Sequence, residues 1–279
     1  MKDSALAEIP LSEGPLPRIL YAACPLCNST KFRPHAYADC SKHQLYVPQI
    51  PAKIQWMRCD DCEHVFTDGY FSEVQNAALF AKAQPNQLPG HNIEQGRALA
   101  GRIVERVIGQ LMFPHEARAR PRWLDVGFGD GSLLMAAQEF GFEPVGLDLR
   151  VQAVDKLKAF GIECHASAIE EFEPAKPFQV LSMADVLEHI PYPKASLSIA
   201  NALLEREGIL FLSCPNMDTV AWRDATAKNA NPYWLEVEHF HNFTRKRLYD
   251  LLAECGFAPI QYSVSERYRM GCEIIARKA

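Results

Sequence analysis

"WLDVGFGDGSLL", residues 123–134, joins an apolar pattern typical of a buried strand to an apolar pattern typical of a helix. Between the two patterns, glycines stand on alternate positions, at Gly127, Gly129 and Gly131. Glycine allows a sharp turn and a close approach of the backbone to a ligand, and such turns open many nucleotide pockets. The stretch therefore predicts a nucleotide site at the end of a strand, without indicating which nucleotide binds there.

The sequence around this turn alternates between strand and helix patterns. Strand patterns recur at residues 122–126, 143–149, 162–166, 178–184, 208–214 and 272–278, and helical patterns lie between most of them. Two helical patterns stop at a glycine, Gly141 and Gly161, and a third begins after a suitable N-cap residue, Thr244. This alternation predicts an α/β domain with a mainly parallel sheet that is covered by helices on both faces.

The length and charge of the chain limit its classes of function. Its 279 residues suffice for one α/β domain and a smaller module. A formal net charge of -5 gives no electrostatic reason to bind a phosphate backbone, so nucleic acid is not an expected partner. The amino-terminal residues lack the apolar core of a signal peptide, and no apolar run approaches the ~20 residues that cross a bilayer. We expect a cytoplasmic protein without a membrane partner.

Four of the nine cysteines form two C-x-x-C pairs, Cys24 with Cys27 and Cys59 with Cys62. Two such pairs provide the four thiolates of a tetrahedral zinc site and leave no open position on the metal. We predict a structural zinc ribbon, because a segment this small cannot bury a sufficient core of its own. The alternatives are redox use of one pair and a zinc ion that activates a thiol acceptor.

Three further potential metal ligands lie near these cysteines, namely Cys40, His43 and His64. Because four cysteines already complete the metal shell, we interpret these three as packing or surface residues. The predicted organisation is a zinc-ribbon module over 1–72, a helical cap and linker over 73–121, and a nucleotide-binding domain over 122–279. Within the second part, the charged and proline-bounded residues 114–121 are expected to form an exposed linker.

The spacing of the glycines and the charges beside them narrow the choice of nucleotide. The turn reads G-x-G-x-G, whereas a dinucleotide pocket favours G-x-G-x-x-G, and no Gly-Lys-Ser or Gly-Lys-Thr follows it as in a P-loop. Asp125 and Asp130 place negative charge where a phosphate group would lie. These acids favour a cationic ligand that carries an amino group.

With these features, the sequence over about residues 95–279 resembles the class I S-adenosylmethionine-dependent methyltransferases. The segments that carry the resemblance are "LDVGFGDGSLL" (124–134), "GLDLR" (146–150), "VLSMADVLEHIPYP" (180–193), "LLEREGILFLSCPN" (203–216) and "EHFHNFT" (238–244). The resemblance implies a Rossmann-like sheet of seven strands and a glycine turn beneath the methionine part of the cofactor. It also implies that Asp148 binds the ribose, since a carboxylate can accept hydrogen bonds from both hydroxyls of a vicinal diol.

The resemblance further implies a cofactor site at the ends of the first four strands of the domain. We expect its lining to comprise Asp125, Gly127, Phe128, Gly129, Gly131, Asp148, Leu149, Ala168, Ile169 and Ala184. The family often has an acid after the third strand for the adenine amino group, but here Ser167 and its two neighbours stand in that place. We therefore expect backbone amides of Ala168 and Ile169 to contact the adenine ring, and the alternative is that the Ser167 side chain takes the role of the missing acid.

The candidate catalytic residues are histidines on the predicted acceptor side. His189 follows the fourth strand, where open α/β sheets place their ligand crevice, and could act as a general base or hold the loop before Pro191. His239 and His241 lie in a long aromatic connection, residues 216–243, which we interpret as an ordered lid over the acceptor. Support of the loop by hydrogen bonds is the alternative role for each. His91 could close the cofactor site from the other side.

These observations predict an enzyme, an S-adenosylmethionine-dependent methyltransferase that acts on a small molecule. A zinc ribbon ahead of such a domain resembles the arrangement in sugar C-methyltransferases of bacterial natural-product pathways. We expect a sugar-like or secondary-metabolite acceptor, and we favour O-methylation over N- or C-methylation. The alternatives are a non-catalytic interaction module that binds the cofactor, and an NAD-dependent oxidoreductase.

Overall fold

The computed structural model describes residues 15–80, 88–91, 93–112 and 120–279. Its strands form a seven-stranded sheet, a four-stranded sheet and a two-stranded pair. The predicted linker over 114–121 lies outside the described residues, except for its last two positions. None of the helices in the described ranges combines the length and the apolar composition that a bilayer-crossing helix needs.

The seven-stranded sheet contains the predicted nucleotide-binding turn. Its strands are β6 (Arg122–Val126), β7 (Glu143–Leu147), β8 (Glu163–His165), β9 (Phe178–Ala184), β10 (Leu204–Pro215), β12 (Phe257–Val264) and β13 (Gly271–Lys278). They lie in the order β12-β13-β10-β9-β6-β7-β8. The strands from β6 to β10 run parallel, whereas β13 is antiparallel to both of its neighbours. The predicted seven-stranded, mainly parallel sheet is confirmed.

β12 is the strand of this sheet that the sequence patterns did not indicate. It lies at an edge of the sheet, and only Phe257 of its eight residues is buried, so its apolar and polar side chains do not alternate. Pro259 interrupts the strand pattern further, and the pairing register with β13 shifts between Pro259 and Gln261. Proline is tolerated at such an edge because its missing N–H leaves no central ladder bond unmade.

Helices cover both faces of the seven-stranded sheet. They are α2 (Ile93–Ile108), α3 (Ser132–Glu139), α4 (Val151–Lys158), α5 (Pro193–Leu203) and α7 (Arg245–Glu254), while α1 (Glu73–Phe80) precedes them and α6 (Val220–Ala227) lies in the long connection. Gly141 and Gly161 follow α3 and α4 with left-handed φ values of 93° and 76°. The Thr244 hydroxyl accepts a hydrogen bond from the N–H of Arg247 at 3.1 Å. The predicted helix ends and N-cap are thus present.

Neighbouring residues of the central strands point into two separate buried cores. One core lies under α2, α3 and α4 and includes Trp123, Val180, Ile209, Val107 and Leu157. The other lies under α5 and α7 and includes Leu124, Leu181, Leu210, Leu197 and Leu251. Because successive side chains of a strand point to opposite faces, burial on both faces explains why these strands read as continuous apolar runs.

The amino-terminal module consists of short strands around the cysteine pairs. They are β1 (Ile19–Leu20), β2 (Phe32–Asp39), β3 (Lys53–Cys59), β4 (Val65–Thr67) and β5 (Gly69–Tyr70). The four-stranded sheet has the order β11-β4-β3-β2, and its strand β11 is His241–Asn242, from the long connection. Tyr21 and Phe66 of the module share one core with Phe243 and Leu248. The sheet of the predicted ribbon is therefore completed by residues far beyond position 72.

Candidate functional site

The glycine turn after β6 has a backbone that only glycine adopts without strain. Gly127, Gly129 and Gly131 have φ values of 67°, 60° and 74°. A Cβ at Gly127 would lie 2.6 Å from the Val186 side chain, and one at Gly131 would lie 2.6 Å from Leu157. A Cβ at Gly129 would meet no atom within 4 Å. The turn is therefore closed on its protein side by Val186 and Leu157 and open at Gly129, as a backbone cradle for a ligand requires.

Asp148 follows β7 and is tied to this turn. One of its carboxylate oxygens, Oδ2, accepts a hydrogen bond from the N–H of Gly129 at 3.3 Å. The other, Oδ1, accepts from the N–H of Arg150 at 2.9 Å, and the Arg150 guanidinium donates to Oδ2 at 2.8 Å. The Arg150 guanidinium also donates to the carbonyl oxygen of Gly129 at 3.2 Å. Arg150 thus links the acid to the glycine turn, a role that the sequence analysis did not indicate.

Asp125 lies deeper than the turn. Its carboxylate is buried and accepts a 2.5 Å hydrogen bond from the Ser182 hydroxyl of β9. The Trp123 indole donates to the same hydroxyl at 2.8 Å. Burial raises the pKa of Asp125 to about 7, although the Ser182 hydrogen bond opposes that rise. The structure places this predicted cofactor residue in the interior of the sheet, bonded to the neighbouring strand β9.

The remaining predicted cofactor residues surround the same strand ends. Phe128 is buried and lies beside Gly146 of β7, where an added Cβ would be 2.7 Å from its ring. Leu149 is exposed, Ile169 is buried, and Ala184 ends β9 half-buried. The first acid after β8, Glu170, accepts a hydrogen bond from Ser196 and is therefore engaged within the protein.

The loop after β9, residues 185–191, carries three ionisable groups close to the strand ends, namely Asp185, Glu188 and His189. Asp185 has a left-handed φ of 57° and accepts from the Ser213 hydroxyl at 2.9 Å. The Arg267 guanidinium lies 3.2 Å from its other oxygen. Glu188 is 1% exposed, and burial raises its pKa well above the usual value for glutamate. Arg267 comes from the turn between β12 and β13, and no local sequence signal points to it.

The three predicted catalytic histidines have different hydrogen-bond environments. His189 Nδ1 lies 3.0 Å from the carbonyl oxygen of Glu238, to which it donates. His241 uses both ring nitrogens: Nδ1 lies 3.0 Å from His64 Nε2, and Nε2 donates to the carbonyl oxygen of Ile190 at 2.8 Å. His239 Nδ1 is buried and has no partner among the described residues. His189 and His239 thus each keep a ring nitrogen for other chemistry, whereas His241 supports the loop.

Burial determines the protonation of these histidines. Loss of solvation lowers the pKa of His189 and, more strongly, that of His239. It lowers the pKa of His241 to about 4. The rings of His189 and His239 meet edge to face, with centroids 4.7 Å apart. All three imidazoles are therefore neutral near pH 7, so each offers one lone pair and one N–H.

The four predicted metal-binding cysteines lie together. The Sγ atoms of Cys24 and Cys62 are 3.6 Å apart, and so are those of Cys27 and Cys59. All four sulfur atoms lie within 4.8 Å of one another. Tetrahedral zinc with bonds of about 2.3 Å separates its sulfur ligands by about 3.8 Å. The arrangement therefore fits a four-thiolate metal site.

The other residues near this site are engaged within the protein. Cys40 belongs to the buried core of the module, and His43 pairs with Glu236 at 2.9 Å. His64 is buried and contacts His241.

His91 is exposed, and it has no described contact with the strand ends. The aromatic connection is ordered by ring contacts: the Trp222 ring lies 5.2 Å from Tyr233 and 5.3 Å from Trp234.

Comparison with known proteins agrees with the fold described for this domain. A family model described as a methyltransferase domain matches residues 93–262. The ubiquinone biosynthesis O-methyltransferase of Actinobacillus pleuropneumoniae serotype 7 is 30% identical over 111 residues, which cover 36% of this chain and 47% of that protein. The chain thus spans about half the length of this curated relative.

Two solved structures share the fold. The magnesium protoporphyrin IX methyltransferase of Synechocystis PCC 6803, with bound SAH, matches with a TM-score of 0.52 and 16% identity, over 76% of this chain and 90% of that one. The 1,6-didemethyltoxoflavin-N1-methyltransferase of Burkholderia thailandensis matches with a TM-score of 0.53 and 18% identity, over 78% of this chain and 97% of that one. At these identities, the likeness shows the fold.

Proposed function

The chain belongs to the S-adenosylmethionine-dependent methyltransferases, and from this premise we propose that it methylates an oxygen atom of a small-molecule acceptor. The observation that supports binding of the methyl donor is the hydrogen-bonded unit of the glycine turn and Asp148, with Gly129 open to a ligand. This unit fits a nucleoside that presents a vicinal diol to a carboxylate. When bound, S-adenosylmethionine supplies an electrophilic methyl group.

We assign cofactor binding to the residues around the strand ends. The backbone of the glycine turn supports the methionine part, and the Asp148 carboxylate accepts from the ribose hydroxyls. Arg150 orients that carboxylate through its bond to Oδ2. Asp125 contributes from the interior of the sheet, and the amides of Ala168 and Ile169 face the adenine ring.

Methyl transfer to oxygen requires the loss of a proton from the acceptor. The acceptor hydroxyl passes its proton to the lone pair of a neutral imidazole, its oxygen forms a bond to the methyl carbon, and the carbon–sulfur bond breaks with its electron pair remaining on sulfur. Correct alignment of the acceptor supplies much of the rate, and activation of the hydroxyl supplies a further part. We assign activation to His189 and His239, because each is neutral near pH 7 and has a ring nitrogen without a described partner. We assign a positioning role to His241.

The choice of an oxygen acceptor rests on the relatives, whose name describes an O-methyltransferase of ubiquinone biosynthesis. The aromatic connection supports an acceptor with a ring, such as a sugar or a secondary metabolite, because the half-buried Tyr233 ring, which packs on the buried Trp222, offers flat apolar surface. The acidic chain supports a small molecule over nucleic acid. We further propose that the four cysteines hold a structural zinc ion.

The test is methyl transfer from radiolabelled S-adenosylmethionine to a panel of hydroxylated sugars, phenols and amines, with mass spectrometry of the products. We expect transfer to a hydroxyl group in at least one class, and loss of transfer in Asp148→Asn. Transfer to nitrogen or carbon alone would contradict the oxygen proposal. Absence of S-adenosylmethionine binding in calorimetry would contradict the assigned cofactor site.

A further inference from the structure

Three side chains on the acceptor side bring metal-binding atoms together. Glu188 and His189 belong to the single 3-10 turn Leu187–His189 after β9, and His239 comes from the long connection. One potential ligand atom from each lies within 4.8 Å of the other two. The cluster is separate from the four cysteines and contains a different set of donor atoms, two imidazoles and one carboxylate.

Two atoms of this cluster are buried without a partner. Glu188 Oε2 and His239 Nδ1 have no hydrogen-bond partner among the described residues, and their side chains belong to residues only 1% and 7% exposed. A buried carboxylate oxygen without a donor is costly, and such groups are paired or coordinate metals. Arg267 interacts with Glu188 only at longer range, because its guanidinium pairs directly with Asp185 at 3.2 Å. No described cation therefore forms an ion pair with the Glu188 carboxylate.

The hydrogen bond of His189 is the kind that orients a metal ligand. Its Nδ1 donates to the carbonyl oxygen of Glu238 at 3.0 Å, which leaves Nε2 with a lone pair. Histidines that bind metals commonly donate their other ring N–H to a backbone carbonyl or a carboxylate, which fixes both the tautomer and the ring orientation. His189 is thus held in the state that a metal ion binds.

A second cluster of similar composition shows the contrasting case. His43, Glu236 and Glu238 also bring three potential ligand atoms together. There, however, His43 pairs directly with Glu236 at 2.9 Å, and this hydrogen bond raises the pKa of the imidazole. The His43 imidazole and the Glu236 carboxylate of this second cluster therefore already have a partner in each other.

We propose that Glu188, His189 and His239 bind a divalent metal ion of the Zn²⁺, Mn²⁺ or Fe²⁺ class. Two imidazoles and one carboxylate suit these ions and leave coordination positions open for other ligands. An ion at this place lowers the pKa of a hydroxyl that binds beside it. This last step rests on the proposed methyl transfer to oxygen. With the ion bound, His189 and His239 take part in activation as metal ligands, and the hydroxyl proton passes to water rather than to an imidazole. Metal binding itself is independent of that function.

The experiment starts from protein that holds a single zinc equivalent, that of the cysteines. This protein is titrated with Mn²⁺, and electron paramagnetic resonance distinguishes free from bound Mn²⁺. Mn²⁺ is a suitable probe because it prefers oxygen and nitrogen donors to thiolates. We expect one bound Mn²⁺ per chain, with nitrogen couplings from imidazole in pulsed spectra. Glu188→Gln and His239→Gln should each weaken binding at least about ten-fold. The matched control, His43→Gln, should bind Mn²⁺ like the unmodified protein.

The outcomes separate this inference from the proposed function. Absence of bound Mn²⁺ in the unmodified protein, or unchanged binding in both variants, overturns the metal site whatever the methyltransferase activity is. S-adenosylmethionine affinity and the single zinc equivalent of the cysteines report whether each variant is folded. If the variants do not fold, imidazole couplings that persist in His43→Gln decide the question, since the cysteine site contains no nitrogen donor and this variant removes the histidine of the second cluster.

Discussion

His64 Nε2 lies 3.0 Å from His241 Nδ1, and this hydrogen bond joins the cysteine module to the connection over the candidate site. The other nitrogen of His241 bonds to the carbonyl oxygen of Ile190, in the loop after β9. Two backbone hydrogen bonds make a second connection. The N–H of Thr67 donates to the carbonyl oxygen of Phe240 at 2.9 Å, and the N–H of Phe240 donates to the carbonyl oxygen of Glu188 at 2.8 Å. The module is therefore joined to the loop after β9, and we expect it to position the proposed acceptor side of the site.

Cys62→Ser tests this coupling. We expect loss of zinc, a lower melting temperature and a larger loss of methyl transfer than of S-adenosylmethionine affinity. The reason is that the loop after β9 depends on the module, whereas the glycine turn and Asp148 depend on β6 and β7. Metal analysis, calorimetry and an activity assay measure the three effects. Cys40→Ser is the control, because Cys40 is buried in the same module outside the four-cysteine cluster and should leave zinc in place. An equal fall of both functional measurements would contradict the coupling.

Asp148→Asn tests the cofactor site. The amide keeps the size of the side chain but loses one acceptor and the negative charge that pairs with Arg150. We expect the dissociation constant of S-adenosylmethionine to rise at least ten-fold, which corresponds to about 1.4 kcal/mol. Isothermal titration calorimetry measures it. Asp155→Asn, an exposed acid on α4, is the matched control and should bind the cofactor normally. Equal affinities in the two variants would remove Asp148 from the site.

Gly131→Ala and Gly141→Ala separate backbone strain from steric contact. Both glycines have positive φ, so alanine costs about 1 kcal/mol at either position. At Gly141 the added Cβ meets no atom within 4 Å, whereas at Gly131 it would lie 2.6 Å from Leu157. We expect Gly131→Ala to lose about 1–3 kcal/mol more stability in denaturant unfolding, because overpacking adds to the strain. A similar loss in both variants would indicate that Leu157 moves aside without cost.

The sequence predicted the features that local patterns encode. Apolar runs indicated six of the seven strands, and the glycine spacing indicated the turn that is bonded to Asp148. The pairing of β11 with β4 could not be predicted, because two residues from position 241 carry no strand pattern and their partner lies far away in the chain. The burial of Glu188 could likewise not be predicted from the sequence, since its neighbours come from the connection distant in the chain. Long-range packing thus determines the surroundings of the loop after β9, whereas local sequence determines the glycine turn.

The pH dependence of stability tests the buried state of His241. Burial lowers its pKa from 6.5 to about 4, so between these values the unfolded chain binds more protons than the folded protein. Folding stability therefore falls as pH falls through this window, by up to about 3 kcal/mol when both states are protonated. In His241→Gln this contribution is absent, so the stability advantage of the unmodified protein should shrink between about pH 7 and about pH 4.5. Denaturant unfolding at several pH values measures the difference. Thr244→Ala removes an N-cap without removing a titrating group, so its stability deficit should stay constant with pH. A constant deficit in His241→Gln as well would show that His241 contributes nothing to the acid sensitivity of the fold.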